Sequence, residues 1–395
     1  TDRLDPQKEE EKTIEESLDW ISFKDQFFGV TLIADAGMSK VNLKSKPEED
    51  FSKGFLKQYD ASAETAFDPT GTKASSFKLY LGPNKFRTLQ KIDDIVNPDK
   101  DLKLEHLVYL GWPLFRYINR YFTIYVFDWL TDLGLSMGIV LLLITILLRI
   151  IVYVPTRKSV MSSAKMRVLK PKIDEINAKY PDPADNMKKQ QEIMQTYSQY
   201  GASPMGGCLP MLIQMPIWIA MFNFIPNAIE LRQQSFLWVD DLSTYDPIIQ
   251  FSHPIWLIGD HISAFCILFC ITNVVYSVMS MRMQKDMMSG QQESQMKIMR
   301  WMMYLMPVFF FFVFNDYSAG LNYYYFISLL FSALTMWYLR RTIDEKKLLE
   351  RLEKNYQANK DKPKKMSGLA ARLEALQKQQ EEMMKLQQER QKHRK

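Results

Sequence analysis

Arg149 lies inside an apolar run, residues 135–154, that is otherwise long enough to cross a lipid bilayer. At about 1.5 Å of rise per residue, the run spans roughly the ~30 Å hydrocarbon layer. A mid-helix arginine costs about 2.5–3.5 kcal/mol on insertion scales. The 14 Leu, Ile and Val of the run return roughly 0.3–0.6 kcal/mol each, so the segment still inserts. Something must then solvate the guanidinium. One solution is snorkelling past Pro155 towards Arg157 and Lys158, a reach of about 7–8 Å along the helix. The other is a polar cavity within the bilayer that receives acidic or polar groups. Thr145, one turn earlier on the same helix face, extends a polar stripe and favours the cavity.

Other chemistry is sparse. Cys266 and Cys270 share a helix face at i, i+4 and read as small packing residues rather than a metal pair, and Cys208 also falls in an apolar stretch. His253 and His261 stand apart from any cysteine cluster, so no metal or cofactor site is expected. No catalytic constellation appears in the polar N-terminal region either. The expectation is a protein that is not an enzyme.

The elements that must position Arg149 are membrane spans. The 395 residues are 47% hydrophobic, but unevenly so, which argues against a soluble chain. Four further apolar stretches follow the first, at 206–226, 261–281, 301–314 and 322–339, predicting five spans. Their boundaries are set at 135–155, 205–226, 261–281, 299–315 and 322–339. The run 301–314 is only 14 residues, about 21 Å, which suggests local membrane thinning unless its helix extends beyond the run.

Lysine and arginine bias sets the orientation. Segment 156–204 carries nine basic residues, loop 282–300 carries four, and the tail 340–395 carries 17 basic against nine acidic residues. The loop 227–260 has Arg232 alone against five acidic residues, and the turn 316–321 has no basic residue. Hairpin, loop and tail therefore face the cytoplasm, and residues 1–134 lie outside. A polar exported region needs a leading signal, so the chain reads as a fragment lacking a first span.

Residues 1–18 are charged and helix-prone, a loose end. From Ser22 the pattern turns to strands: Phe28, Val30 and Leu32 alternate with Phe27, Gly29 and Thr31, then Val41 and Leu43, then Phe77, Leu79 and Leu81 before Gly82-Pro83. An exported antiparallel sheet is expected over 1–105. An amphipathic helix in 106–134 places Trp112, Phe115, Ile118, Phe122 and Val126 on one face, suited to the membrane interface. Segment 156–204 reads as two helices, Val160 to Tyr180 and Met187 to Tyr200, broken at Pro181-Asp182-Pro183. Leu369, Leu373 and Leu376 make only a weak stripe in a solvated tail.

One string is more specific. Ser203-Pro204-Met205-Gly206-Gly207-Cys208-Leu209-Pro210, followed by Gln214-Met215-Pro216-Ile217, resembles the signature of YidC-type membrane insertases (the YidC/Oxa/Alb family). Lys165-Met166-Arg167 with Pro171-Lys172-Ile173, Glu230-Leu231-Arg232, Asp240-Asp241-Leu242-Ser243 with Asp246-Pro247, and Ser318-Ala319-Gly320-Leu321 through Tyr324-Tyr325 follow in the family's order. The chain departs from the pattern before Gly320, where Asp316, Tyr317 and Ser318 replace the usual tryptophan and proline.

The resemblance implies a polytopic α-helical membrane protein: a five-span helical core with a cytoplasmic helical hairpin, preceded by part of an exported β-sandwich domain. It implies ATP-independent insertion and folding of nascent inner-membrane proteins through a hydrophilic groove open to cytoplasm and lipid. The groove arginine and threonine match Arg149 and Thr145, and the last-span tyrosine matches Tyr325, with Tyr324 beside it. Gln214 adds a further polar group. Implied partners are nascent chains, the ribosome through hairpin or tail, the Sec translocon, the signal-recognition-particle receptor and membrane lipid. Two rival readings are a small-solute transporter with Arg149 as counter-ion and a non-catalytic membrane scaffold. The first is opposed by the lack of a repeat or of an acidic residue well inside a span.

Overall fold

A computed structural model describes residues 8–48, 52, 54–182, 185–203, 209–287 and 293–359. The core of the signature string, 204–208, and the tail leucines Leu369, Leu373 and Leu376 fall outside the described residues. The chain divides into two compact units, 1–164 with 205–343, and 165–204 with 344–395.

The first unit opens with five antiparallel strands: β1 (Glu10–Ile14), β2 (Leu18–Lys24), β3 (Phe28–Pro47), β4 (Lys57–Glu64) and β5 (Phe77–Pro83). β3 is 20 residues long and is shared between partners. Its first half pairs with β2 and β5, Thr31 facing Ser22 and Tyr80. Its second half pairs with β1 and β4, Leu43 facing Lys12 and Ala61. Residues 10–14 are thus a strand and not the loose helix-prone end expected. Pairing with β3 outweighs the helix propensity of Glu and Lys, because an edge strand tolerates charges on its solvent side.

Alternation in β3 is present, with one face more open than the sequence suggests. Thr31 and Ile33 are buried, Ile33 against Leu89 of α1 (Phe86–Val96) and against Leu102, Leu104 and Leu107. Val30, Leu32, Leu79 and Leu81 are exposed on the opposite side. The Asp93 carboxylate accepts from the backbone N–H groups of Leu102 and Leu104, at 2.9 and 3.1 Å, and so fixes the turn after α1.

The segment after it is helical as expected: α2 (Pro113–Ile118), a π-turn at Asn119–Thr123, and α3 (Ile124–Asp132). Its outward face differs from the expected one. Tyr117, Tyr121, Tyr125 and Trp129 are exposed, whereas Phe115, Ile118, Phe122 and Val126 are half-buried. Trp112, from the expected face, is exposed as well. In the π-turn the fully buried Asn119 donates to the Leu110 and Ala220 carbonyls at 3.1 and 2.8 Å. Arg87 lies over the Tyr125 ring at 4.3 Å.

The rest is mainly helical: α4 (Met137–Val168), α5 (Lys170–Lys179), α6 (Asn186–Gln199) and α7 (Leu209–Phe224). A hairpin of β6 (Pro247–Ile255) and β7 (Gly259–Ser263) precedes α8 (Ala264–Met287), α9 (Glu293–Phe314), α10 (Ala319–Thr342) and α11 (Glu345–Asn359). Among the described residues, α4 and, within α8, Ala264–Met283 are helices long and apolar enough to cross a membrane; Tyr304–Phe314 is a shorter apolar stretch.

Several boundaries move. Pro155 does not end a helix: α4 continues to Val168, so Arg149 is mid-helix. Pro155 lacks the N–H that would bond the Ile151 carbonyl, and Thr156 donates its hydroxyl to the neighbouring Val152 carbonyl at 2.8 Å. The first hairpin helix breaks instead after Val168, where Pro171 begins a new one in its first turn. His261 belongs to β7, and its helix starts at Ala264. α9 is 22 residues, about 33 Å, so its helix extends beyond the apolar run.

In the second unit α11 packs with the hairpin helices, so this part of the tail is an ordered helix. Leu169, Ile173, Tyr197, Tyr200 and Leu352 are buried there. Tyr356 stacks on Tyr200 with ring centres 4.6 Å apart. Lys172 donates to the Tyr200 hydroxyl at 2.6 Å and reaches Glu353 at 3.4 Å, and Arg167 meets Glu345 at 2.7 Å. The Tyr200 hydroxyl, helped by Glu353, holds the Lys172 ammonium above its ordinary range.

Candidate functional site

Arg149 is half-buried, and its guanidinium bridges three helices. Nη1 of this α4 residue donates to Gln214 Oε1 of α7 at 3.0 Å, and Nη2 donates to Ser328 Oγ of α10. Tyr324 and Tyr276, on α10 and α8, lie close enough to interact with the charge. No carboxylate pairs with it among the described residues, so the cation is held by neutral groups alone. Ile150, Leu212 and Met215 alongside are exposed.

The helix periodicity explains the assembly. Leu141, Thr145 and Arg149 follow at four-residue steps on α4, with Leu141 and Thr145 fully buried. Thr145 donates its hydroxyl to the Leu141 carbonyl at 2.6 Å, satisfying itself within its own helix. On α10 Tyr324, Tyr325 and Ser328 share the inward side and are buried. Tyr325 donates to the Trp218 carbonyl of α7 at 3.0 Å, and its ring meets Tyr324 at 5.3 Å. The structure thus joins Arg149 and Gln214 directly and sets Tyr324 near the charge. Tyr325 meets α7 four residues beyond Gln214. Ser328 and Tyr276 escaped sequence reading. The i+4 spacing of Ser328 from Tyr324 was its only signal, and Tyr276 had none beyond being polar in an apolar helix.

A second polar network ties one end of α8, α9 and α10 to the loop before them. The buried Asp246 carboxylate accepts from Trp238 Nε1 at 3.0 Å, from the Phe265 N–H at 2.9 Å and from Ser263 Oγ. Asn315 accepts from the Ser263 N–H and donates to the Ile258 and His261 carbonyls, all within 3.0 Å. The Ala319 and Gly320 N–H groups reach the Thr244 and Leu242 carbonyls at 2.6 and 2.9 Å. A Cβ on Gly320 would lie 2.9 Å from that Leu242 oxygen, so this approach requires glycine. Two of the three unusual turn residues are absorbed: Ser318 caps α10, and the Tyr317 ring packs on Phe222 and Phe314 at 5.3 Å, while Asp316 stays exposed.

The grouped acids Asp93, Asp101 and Glu105 have structural employment. Asp93 holds backbone amides, as described, and Glu105 meets Arg120 at 3.1 Å.

A strand-rich domain joined to a helical core, with two helices long and apolar enough to cross a membrane and a half-buried cation that no carboxylate pairs among the described residues, is the architecture of a helical membrane protein. Residues 129–347 match the family described as 60Kd inner membrane protein, and residues 1–124 match the YidC periplasmic domain. The chain belongs to the YidC family. Relatives named membrane protein insertase YidC include one from Bacteroides fragilis, 56% identical over 97% of this chain and 61% of its own length. Those from Parabacteroides distasonis and Porphyromonas gingivalis are 48% and 42% identical over 100% and 98% of this chain, and 61% and 62% of theirs. The chain thus spans about three-fifths of the relatives it matches. The transporter alternative finds no support among these relatives.

Proposed function

We propose that this chain is the core of an insertase that moves short polar segments of nascent membrane proteins across the inner membrane without a cofactor. The observation that carries it is Arg149, a half-buried cation with neutral hydrogen-bond partners at the junction of α4, α7 and α10. A polar segment entering hydrocarbon loses water, and each unsatisfied backbone group costs several kcal/mol. Arg149, Gln214, Tyr324, Tyr325 and, on the same stripe, Thr145 form the polar wall that substitutes for it. The client's apolar helix leaves sideways past the exposed Ile150, Leu212 and Met215 into lipid.

In this reading α4, α7, α8, α9 and α10 are the five spans, the strand domain is periplasmic, and the hairpin, the loop after α8 and the tail are cytoplasmic. The Asp246–Asn315 network closes the outer end. The basic hairpin and tail face the ribosome, with the Sec translocon and the signal-recognition-particle receptor as further partners. Pelleting of the solubilised protein with ribosomes, lost at high salt, tests the first of these. The exposed Tyr117–Trp129 stripe lies in the membrane interface, where aromatic rings with polar tips are favoured. Headgroup-proximal brominated lipids should quench Trp129; an unquenched Trp129 would remove that helix from the interface.

The decisive experiment reconstitutes the protein in liposomes and scores protease protection of a single-span client with a short polar tail. The expected result is integration well above protein-free liposomes. Equal integration in both would end the insertase reading.

A further inference from the structure

The two acceptors that hold Arg149 are neutral, and they sit on different helices. Gln214 Oε1 reaches Nη1 from α7, and Ser328 Oγ reaches Nη2 from α10. A guanidinium has five N–H donors, and hydrogen bonds in which both partners are charged are markedly stronger than those with one neutral partner. A carboxylate in place of Gln214 would form a standing ion pair that a client must break. An apolar residue there would leave a half-buried donor unsatisfied, and that donor would grip any incoming acceptor. Gln and Ser lie between these extremes. Each can be displaced separately by a client carbonyl or carboxylate, and each can return when the client moves on.

Resting on the insertase reading, we propose that Gln214 and Ser328 are exchange ligands of Arg149, positioning residues that set how long a client's polar segment stays on the guanidinium. Client entry replaces one neutral acceptor by another of equal or greater strength. Client departure into lipid is assisted because Arg149 is never left bare. The pair also sets selectivity: a client aspartate outcompetes Gln214 and Ser328, whereas a client asparagine only matches them.

The test measures the dwell time of a fluorescent, ribosome-stalled client on the full chain in lipid nanodiscs, with aspartate or asparagine in the client's tail. Gln214→Leu should lengthen the dwell of the aspartate client by roughly 10- to 100-fold, and Gln214→Glu should shorten it by a similar factor, the scale of one charged hydrogen bond. Ser328→Ala and Ser328→Asp should repeat the same opposite signs from the other helix, which covers the case in which a Gln214 variant misfolds. A merely structural role would shift both members of a pair in the same direction, and that result would overturn the proposal while leaving the insertase reading in place. Absence of any dwell on the unaltered chain would instead remove the insertase reading, and this proposal with it.

Discussion

Replacing Asp246 with alanine is expected to destabilise the loop end of the helical core by about 3–5 kcal/mol, since two buried donors and a part-buried one lose their acceptor, the buried ones at about 1–3 kcal/mol each. Those donors are Trp238 Nε1, Ser263 Oγ and the Phe265 N–H. The carboxylate also stands at the first turn of α8, where negative charge is favoured by the helix dipole. Ser263, which it holds, in turn accepts from the Cys266 N–H at 3.2 Å, so the first turn of α8 loses two partners at once. Asp246→Asn should recover little, because an amide directs its own N–H groups at the same donors. Asp240, exposed in the same loop, is the control, and its alanine variant should stay within about 0.5 kcal/mol of the parent. Thermal unfolding in detergent, followed through tryptophan fluorescence, separates the two. Equal melting temperatures for the Asp246 and Asp240 variants would show that the network does not hold the helix ends.

Arg149→Gln is expected to have the opposite balance, a large effect on function and a small one on stability. Loss of one charged hydrogen bond to a client carboxylate, worth about 1.5–3 kcal/mol, lowers insertion of an aspartate-bearing client by roughly 10- to 100-fold. The asparagine-bearing client should lose much less, because the remaining polar groups still serve it. Stability should be unchanged or higher, since a half-buried cation without an anionic partner is replaced by a neutral amide. Liposome insertion of both clients, alongside the melting temperature, checks this. A parallel loss for the two clients would mean that Arg149 acts through the fold and not through charge.

Much of the helical core is legible in the sequence. The apolar runs, the alternation of basic and acidic loops and the ordered motifs from Lys165 to Tyr325 all point to one architecture. Arg149 was legible because an ionisable group in an apolar run has few bland explanations, and in the structure its guanidinium meets Gln214 and Ser328 of neighbouring helices. Less visible were features that depend on what lies across from a residue. β1 reads as helix-prone until β3 is found beside it. The outward face of the α2–α3 segment, and the π-turn within it, depend on what the segment packs against. His261 counts as part of an apolar span in sequence, yet it is a strand residue whose ring bonds the Asn315 carbonyl at 3.0 Å and stacks on Tyr245.

The sequence by itself determined which segments are apolar enough to leave water, where the charge that resists this lies, and which family the chain resembles. These follow from transfer free energies and residue order, which are properties of the chain alone. Only the tertiary structure decided what satisfies that charge. Gln214 and Ser328 lie 65 and 179 residues from Arg149, and their convergence on one guanidinium is a result of helix packing. Hydrogen bonds have a reach of about 3 Å, so their partners are chosen by the fold and not by distance along the chain.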